Sequence, residues 1–393
     1  MFIFYQHLSW VNLSLKLGKK ENLFKLNSKE RQIPNMSKYQ EDAPMLGIFR
    51  TLNAKANEEY YIASCEELGT PYKIIDIWSS SWIEQIRESG CRGFLVRPPC
   101  DFQERKTGYD ERLWFLSRYM GYPIYPTYDE CLLYENKRAV AYWLALQGFP
   151  GIPTKIFYRK DEALEYFKSA VYPLIIKSNA GSAASGVKVL KSFPEARKYL
   201  NGAFGLFSQH FATGWWPDFK FRGKITLPQI SASQRHYLLV QPFFNIKWEW
   251  RVTKLGNSYF GKQKLLKGKF ASGSKLFGWI PPPREVLDLV RNICERGNFS
   301  SMAVDILETV EGKYYVNELQ SLFGSYHSAQ LFVDGKPGRY LWNGSGYEFQ
   351  EGHFNRHGSC LLMVEHFLKM LREDSYWTGN NNKPVLTDIL QQA

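Results

Sequence analysis

The stretch "PLIIKSNAGSAASGVKVL" (residues 173–190) decides how this chain is read. A hydrophobic run ends in Lys177, and a loop of small side chains follows between Gly181 and Gly186. Four residues separate the glycines, as in the first half of a phosphate-binding P-loop, but that design continues with Gly-Lys-Ser/Thr opening a helix. Here Val187-Lys188-Val189 follows, and Val187, Val189 and Leu190 read as another strand. The local pattern is strand, glycine-rich loop, strand, so phosphate held here is held by a different design.

Upstream, Met45 to Thr127 alternates strand-like and helix-like runs: "MLGIFR", a helix through Leu68, "YKIIDI", an amphipathic stretch, "GFLVRPP", and a helix around Glu111–Met120. Strands alternating with helices predict a parallel sheet of βαβ units. The dinucleotide fingerprint GxGxxG is missing after the first strand, so such a domain is free to carry substrate. Residues 129–148 read as one helix, capped by Asp129 and closed by Gly148. A strand ("TKIFY") and a helix (Asp161–Ala170) lead into the quoted stretch.

Downstream, residues 201–236 are rich in aromatics and glycines without a clear period, either a cover or binding loop or a packed aromatic cluster. Antiparallel character follows in "YLLVQPFF", "EWRVTKLG", "SYFGKQKLL", a helix from Pro283 to Arg296, "SMAVDILET" and "KYYVNELQ". Lys254-Leu255-Gly256-Asn257 is a hairpin turn, and "TVEGK" joins two strands that each carry acids. Residues i and i+2 of a strand face one way, so Glu318 and Gln320 share a face and Asp305 joins them if the strands pair. Two carboxylates and an amide oxygen are a hard donor set suited to Mg2+ carried by a polyphosphate. Glu249 and Arg251 share a face by the same rule, as do Lys262 and Lys264. Lys177 at its strand end places a point charge beside a loop whose backbone N–H groups can close over phosphate.

Bulk properties agree with an anionic ligand. The 393 residues carry Lys and Arg over Asp and Glu by 50 to 38, a net +12, although most basic residues are scattered singly as a solvated surface would have them. Six cysteines without a CxxC pair or metal-ligand spacing read as reduced thiols of a cytoplasmic protein. His353 and His357 are spaced i, i+4, but Gly352 and Gly358 flank them and argue against a metal pair. No stretch reads as a membrane span, and residues 1–43 read as a disordered or non-native extension, with Met36 before a typical soluble start.

The ordered set of Lys137 in "ENKRA", Lys177 before a glycine-rich loop, the "VQPFF" strand, an E-x-R strand, and Asp followed by E-x-Q resembles the ATP-grasp superfamily, of the carboxylate–amine ligase type. The resemblance covers residues 45–325 in element order and 130–325 in motif detail. It implies an α/β protein, α+β in its ATP-binding part. A parallel βαβ domain (44–128) would precede a central and lid subdomain (129–244) and a C-terminal subdomain with the metal site and last helix (245–393). The family implies ATP with Mg2+, two ions, for which Mn2+ can substitute. Lys137, Lys177 and the lid residues Ser182, Ala183, Ala184, Ser185 and Gly186 would meet the nucleotide. Gln241, Pro242, Phe243 and Phe244 would form the adenine hinge, and Glu249 would reach ribose. Arg251 and Lys264 would act on the transferring phosphate, and Asp305, Glu318 and Gln320 would hold metal. Three departures stand out: Gln320 where the family usually has Asn, a lid "GSAASG" poorer in glycine than the family's often is, and Gln241 where an acid is common.

The implied reaction joins a carboxylate, of a small molecule, peptide or sugar, to an amine through an acyl phosphate, with release of ADP and phosphate. A kinase on the same scaffold stops after phosphoryl transfer. A non-catalytic nucleotide- or nucleic-acid-binding protein would use the +12 charge but has no need of Asp305 and Glu318, so no stable nucleic-acid partner is expected. Arg97, the backbone of residues 271–274 and Tyr326-His327-Ser328 are candidates for the substrate side. Residues 358–374 read as an amphipathic helix, either a core element or a homodimer contact.

Overall fold

A computed structural model of the protein describes residues 43–51, 58–100, 103–181, 186–205, 236–268, 270–271, 276–323, 330–374 and 376. The chain divides into Met1–Glu41 and Asp42–Ala393, and all described residues belong to the second unit. The expected N-terminal extension, lid residues Ser182–Ser185, aromatic segment 206–235, residues 272–274, Tyr326-His327-Ser328 and the short last helix lie outside the described residues.

The first layer is the expected parallel sheet. Strands β1 (Leu46–Phe49), β2 (Tyr72–Ile75), β3 (Gly93–Leu95) and β4 (Ile124–Tyr125) lie in the order β2-β1-β3-β4, and all their pairings are parallel. Helices α1 (Glu58–Glu67), α2 (Trp82–Arg87) and α3 (Gln103–Trp114) connect them, and α3 continues as a π-helical turn, Phe115–Tyr119. β1 is buried along its length, as expected of a central strand covered on both faces. Helix α3 begins earlier than its apolar pattern indicates. Its first turns look polar, yet they bury Lys106, whose ammonium meets Asp110 and donates to the carbonyl of Cys131.

Residues 129–148 form two helices rather than the expected one, α4 (Tyr128–Leu133) and α5 (Lys137–Gln147). Thr127, not Asp129, caps α4 through a capping box with Glu130. Between the helices Glu135 takes a positive φ of 50°, and the side chain of Asn136 starts α5 by accepting from the Ala139 N–H. The interruption turns Glu135 and Lys137 toward the interior of the protein.

A second layer contains β5 (Lys155–Phe157), α6 (Lys160–Ser169), β6 (Leu174–Lys177), β7 (Val187–Leu190), α7 (Phe193–Ala203) and β8 (Leu238–Pro242). Its antiparallel sheet has the order β5-β8-β6-β7, with α6 and α7 packed on one face through Ala163, Phe167, Ala196 and Leu200. β6 and β7 pair from Leu174↔Leu190 to Lys177↔Val187, which makes the quoted loop a hairpin connection.

The third layer is a large antiparallel sheet. It contains β9 (Ile246–Leu255), β10 (Ser258–Lys264), β13 (Phe277–Gly278), β14 (Ser301–Thr309), β15 (Tyr314–Gln320), β16 (Leu331–Val333), β17 (Lys336–Trp342) and β18 (Tyr347–Glu351), with β11 (Leu266–Lys267) and β12 (Phe270–Ala271) forming a separate ribbon. The main order is β15-β14-β9-β10-β17-β16. Helix α8 (Arg284–Gly297) packs Val286, Leu287, Val290 and Ile293 against one face of this sheet, together with Val140 and Leu144 of α5. On that side β9 contributes Trp250 and Val252 and β14 contributes Val304 and Ile306, so strict alternation sends Glu249, Arg251 and Asp305 to the other face.

The last helix, α9 (Cys360–Arg372), is a core element. Met363, Val364, Phe367 and Leu368 pack with Leu46, Ile48 and Tyr61 of the first layer and with Leu255 and Phe260 of the third. His357, just before it, bonds Glu67 at 2.8 Å instead of pairing with His353. His366 on α9 meets the Tyr125 hydroxyl at 3.0 Å. Burial, with Lys254 and Lys369 adding to it, lowers His366 to about 4 from its ordinary 6.5. Between those values the unfolded chain binds the extra proton, so stability is full above the ordinary value and falls as pH drops toward 4. His366→Asn is expected to flatten this acid limb in denaturation curves taken across the window; an unchanged slope would contradict the assignment.

Candidate functional site

The charged face of the third sheet and the end of the β6–β7 hairpin enclose a cleft of about 630 Å3. Every described residue expected at the nucleotide, the transferring phosphate or the metal lines it: Lys137, Lys177, Gly186, Gln241 to Phe244, Glu249, Arg251, Lys264, Asp305, Glu318 and Gln320. Arg97 is not among the lining residues; its guanidinium lies over the Tyr61 ring, 5.8 Å from the centroid. Cys100 and Tyr134 do line the cleft, beside Glu135.

Strand register explains the convergence. Arg251 stands opposite Lys262 on one side and Asp305 on the other, while Asp305 stands opposite Glu318. Arg251 grips Asp305 with two parallel bonds of 2.7 and 2.6 Å. Lys264, opposite Glu249, reaches both Glu249 and Asp305. Burial alone pushes the Asp305 carboxyl up, but Arg251 and Lys264 outweigh it and hold the group down at about 2. Glu318 is likewise held below the usual carboxylate range, with burial opposed chiefly by Lys137.

Asn317, which strict alternation assigns to the opposite face, also lines this cleft. The β14–β15 register shifts after Asp305↔Glu318 to Ile306↔Val316, leaving Asn317 as the extra residue of a bulge. Val316 and Leu319 both enter the apolar core, so Asn317 and Glu318 both face the cleft. The Asn317 carbonyl accepts from Lys177 Nζ at 2.7 Å, and its amide donates to Glu249 at 2.8 Å. Two residues earlier Tyr315 stacks on the Phe244 ring, centroids 4.6 Å apart. Burial pushes the Lys177 ammonium below the usual lysine range.

The N-terminus of α5 closes the other side. Asn179 accepts from the backbone N–H groups of Lys137 and Arg138, and Lys137 Nζ donates to the Gly181 carbonyl at 3.0 Å. At the neck of the hairpin the Ser178 N–H donates to the Gly186 carbonyl at 2.8 Å. A Cβ at Gly186 would stand 1.8 Å from Ser178 Oγ and 2.6 Å from its Cβ, closer than any side chain tolerates. Gly186→Ala is therefore expected to destabilise the protein by about 1–3 kcal/mol. Adding Ser178→Gly should recover most of that loss in denaturant titrations, and a fully additive double mutant would contradict the contact.

The lining carries four cations (Lys137, Lys177, Arg251, Lys264) and four carboxylates (Glu135, Glu249, Asp305, Glu318). Buried charge in such numbers is tolerable only when paired. The same groups can exchange partners when an anion and its counter-cation enter together. Beyond the charges, Ile152, Ile175, Val189, Ile246 and Leu307 give the cleft an apolar end next to the Gln241–Phe244 segment. Among the described residues no three His, Cys, Asp or Glu side chains are gathered to hold a metal by themselves. Asp305, Glu318 and Gln320 line the cleft with hard oxygen donors of the kind Mg2+ takes together with substrate phosphates. All six cysteines are free thiols, and no helix of the described residues is long and apolar enough to cross a membrane.

No family model matches the chain. The curated alpha-aminoadipate–LysW ligase LysX of Saccharolobus solfataricus is 33% identical over 151 residues, 36% of this chain and 52% of that protein. The chain thus spans about half the length of the curated relative it matches. Among solved structures, D-cycloserine synthetase DcsG superposes with a TM-score of 0.54 at 12% identity, over 83% of this chain and 99% of that one. The biotin carboxylase domain of Hydrogenobacter thermophilus 2-oxoglutarate carboxylase, solved with MgADP and bicarbonate, gives a TM-score of 0.51 at 15% identity, over 72% and 65% of the two chains. The three layers and these superpositions together establish that the chain has the ATP-grasp fold.

Proposed function

We propose that the protein is an ATP- and Mg2+-dependent ligase that joins a carboxylate to an amine through an acyl phosphate, releasing ADP and phosphate. The observation that carries this reading is the cleft itself, where four cations and four carboxylates line one part and apolar side chains line the other. Phosphoryl transfer needs charge neutralisation and alignment rather than a protein nucleophile, and these are what the lining offers. The name of the LysX relative, a ligase, favours ligation over a kinase reaction.

In this reading the adenine occupies the apolar end against Gln241–Phe244, and Lys137 and Lys177 neutralise the phosphates. Glu318 and Asp305, with Gln320, would hold Mg2+, which would supply neutralisation of phosphate charge when bound. Arg251 and Lys264 face the terminal phosphate. A substrate carboxylate oxygen attacks the γ-phosphorus, the bond to the ADP oxygen breaks, and an acyl phosphate forms. The amine nitrogen then attacks the acyl carbon, phosphate leaves, and the nitrogen loses a proton to give the amide. The two cations stabilise the phosphate oxygens as charge develops on them. Cys100 and Tyr134, which line the cleft and pack with first-layer residues, would border the substrate carboxylate.

The test is release of ADP and phosphate from Mg-ATP in the presence of pooled carboxylates, with and without pooled amines, for the wild type and Glu318→Ala. Release that needs both substrates and vanishes in the variant is the expected result. Turnover independent of any amine would replace the ligase with a kinase.

A further inference from the structure

Glu135 has no part in the roles given so far, yet its setting is unusual. It occupies the break between α4 and α5 at a φ of 50°, which non-glycine residues seldom adopt and which concentrates at functional sites. It is 6% exposed and lines the cleft. Its Oε1 accepts from Gln320 Nε2 at 3.3 Å, whereas its Oε2 is buried without a hydrogen bond, 3.6 Å from Lys137 Nζ. Glu318 repeats the arrangement: its Oε2 accepts from the same Gln320 Nε2 at 3.1 Å, and its Oε1 lies 3.7 Å from the same Lys137 Nζ. Two carboxylates therefore flank one ammonium and one amide nitrogen.

We propose that Glu135 and Glu318 together seat a divalent cation that enters with the nucleotide, which makes Glu135 a ligand residue. This rests on the nucleotide-binding reading above. The Lys137 ammonium marks a point where positive charge is already stabilised by both carboxylates. Phosphate entering the cleft offers that ammonium another partner and offers the cation its remaining oxygens. Gln320 can serve both states, because turning its amide end presents the carbonyl oxygen where the nitrogen now points. Neutralising Lys137 alone requires neither the buried, unbonded Oε2 nor the positive φ, since Glu318 already lies within ion-pair distance.

The experiment is titration of the full chain with MnCl2 in the presence of ADP, with free Mn2+ read by electron paramagnetic resonance, for wild type and Glu135→Gln. Metal-free ADP affinity and the thermal midpoint serve as controls. Glu135→Gln is expected to weaken Mn2+ binding by at least about tenfold, a loss seen even when only a supporter of a ligand is removed, while both controls hold. Wild-type Mn2+ affinity in Glu135→Gln overturns the assignment. If the amide lowers the thermal midpoint, Glu135→Asp decides: binding tighter than in the Gln variant supports a carboxylate ligand, and equal binding rejects it. A wild type that binds Mn2+ and ADP beside an unaffected variant removes only this seat, whereas a wild type that binds neither removes the nucleotide reading as well.

Discussion

Asp305→Ala is expected to destabilise the protein by about 3–5 kcal/mol, the cost of removing one partner of a buried ion pair and leaving the other uncompensated. Asp305 is 1% exposed and is held by both Arg251 and Lys264. Without it Arg251 loses both of its bonded carboxylate oxygens, and the two cations keep Glu249, bonded to Lys264, and the longer-range charge of Glu318, at a site closed to water on the sheet side. The wild-type contribution also has a defined pH window. Because the folded carboxyl is held down at about 2 against an ordinary 3.8, the stabilisation is complete above the ordinary value and is lost as pH falls toward 2. Denaturant titrations at neutral pH and across the acid range measure both effects. A variant as stable as the wild type, or a difference between the two that persists unchanged at low pH, would contradict the ion-pair account.

Lys177→Met acts in the opposite manner. Its ammonium is buried, pushed below its ordinary range by burial, and bonded to Asn317. Methionine fills a similar volume without a charge to desolvate, so the thermal midpoint is expected to hold. ADP release should nevertheless fall by about 100-fold or more, the scale on which removing one donor to a developing oxyanion acts. Rates within a few-fold of wild type would remove Lys177 from the phosphate site, and a collapse of stability would mean the lysine serves the fold instead.

The contrast between these residues shows what the sequence reveals and what it conceals. Arg251 and Asp305 are legible because alternation holds through Glu249–Val252 on β9 and Val304–Ile306 on β14, so spacing reports which side chains share a face, whereas Lys177 is legible from its place at the end of an apolar strand and Glu318 from the pairing of its strand with Asp305. The β6 and β7 strands are legible as apolar runs on either side of a glycine-bounded loop, and they pair antiparallel as that pattern suggests. Asn317 is hidden because a one-residue bulge reverses alternation at that point, and nothing in "YYVNELQ" announces the bulge. Glu135 is hidden because residues 129–148 carry helical character throughout; only Asn136, a competent cap in mid-run, signals the break. The place of α9 follows from long-range packing on the first layer, which its apolar spacing alone does not reveal.

The most direct measurement uses whichever carboxylate supports ADP release, labelled with 18O in its carboxyl group and turned over with Mg-ATP and the matching amine. A carboxylate that attacks the γ-phosphorus leaves one labelled oxygen on the phosphate released, so mass spectrometry should find one 18O per phosphate at full labelling. Unlabelled phosphate beside amide product would contradict the acyl phosphate route, and with it the roles given to Arg251 and Lys264.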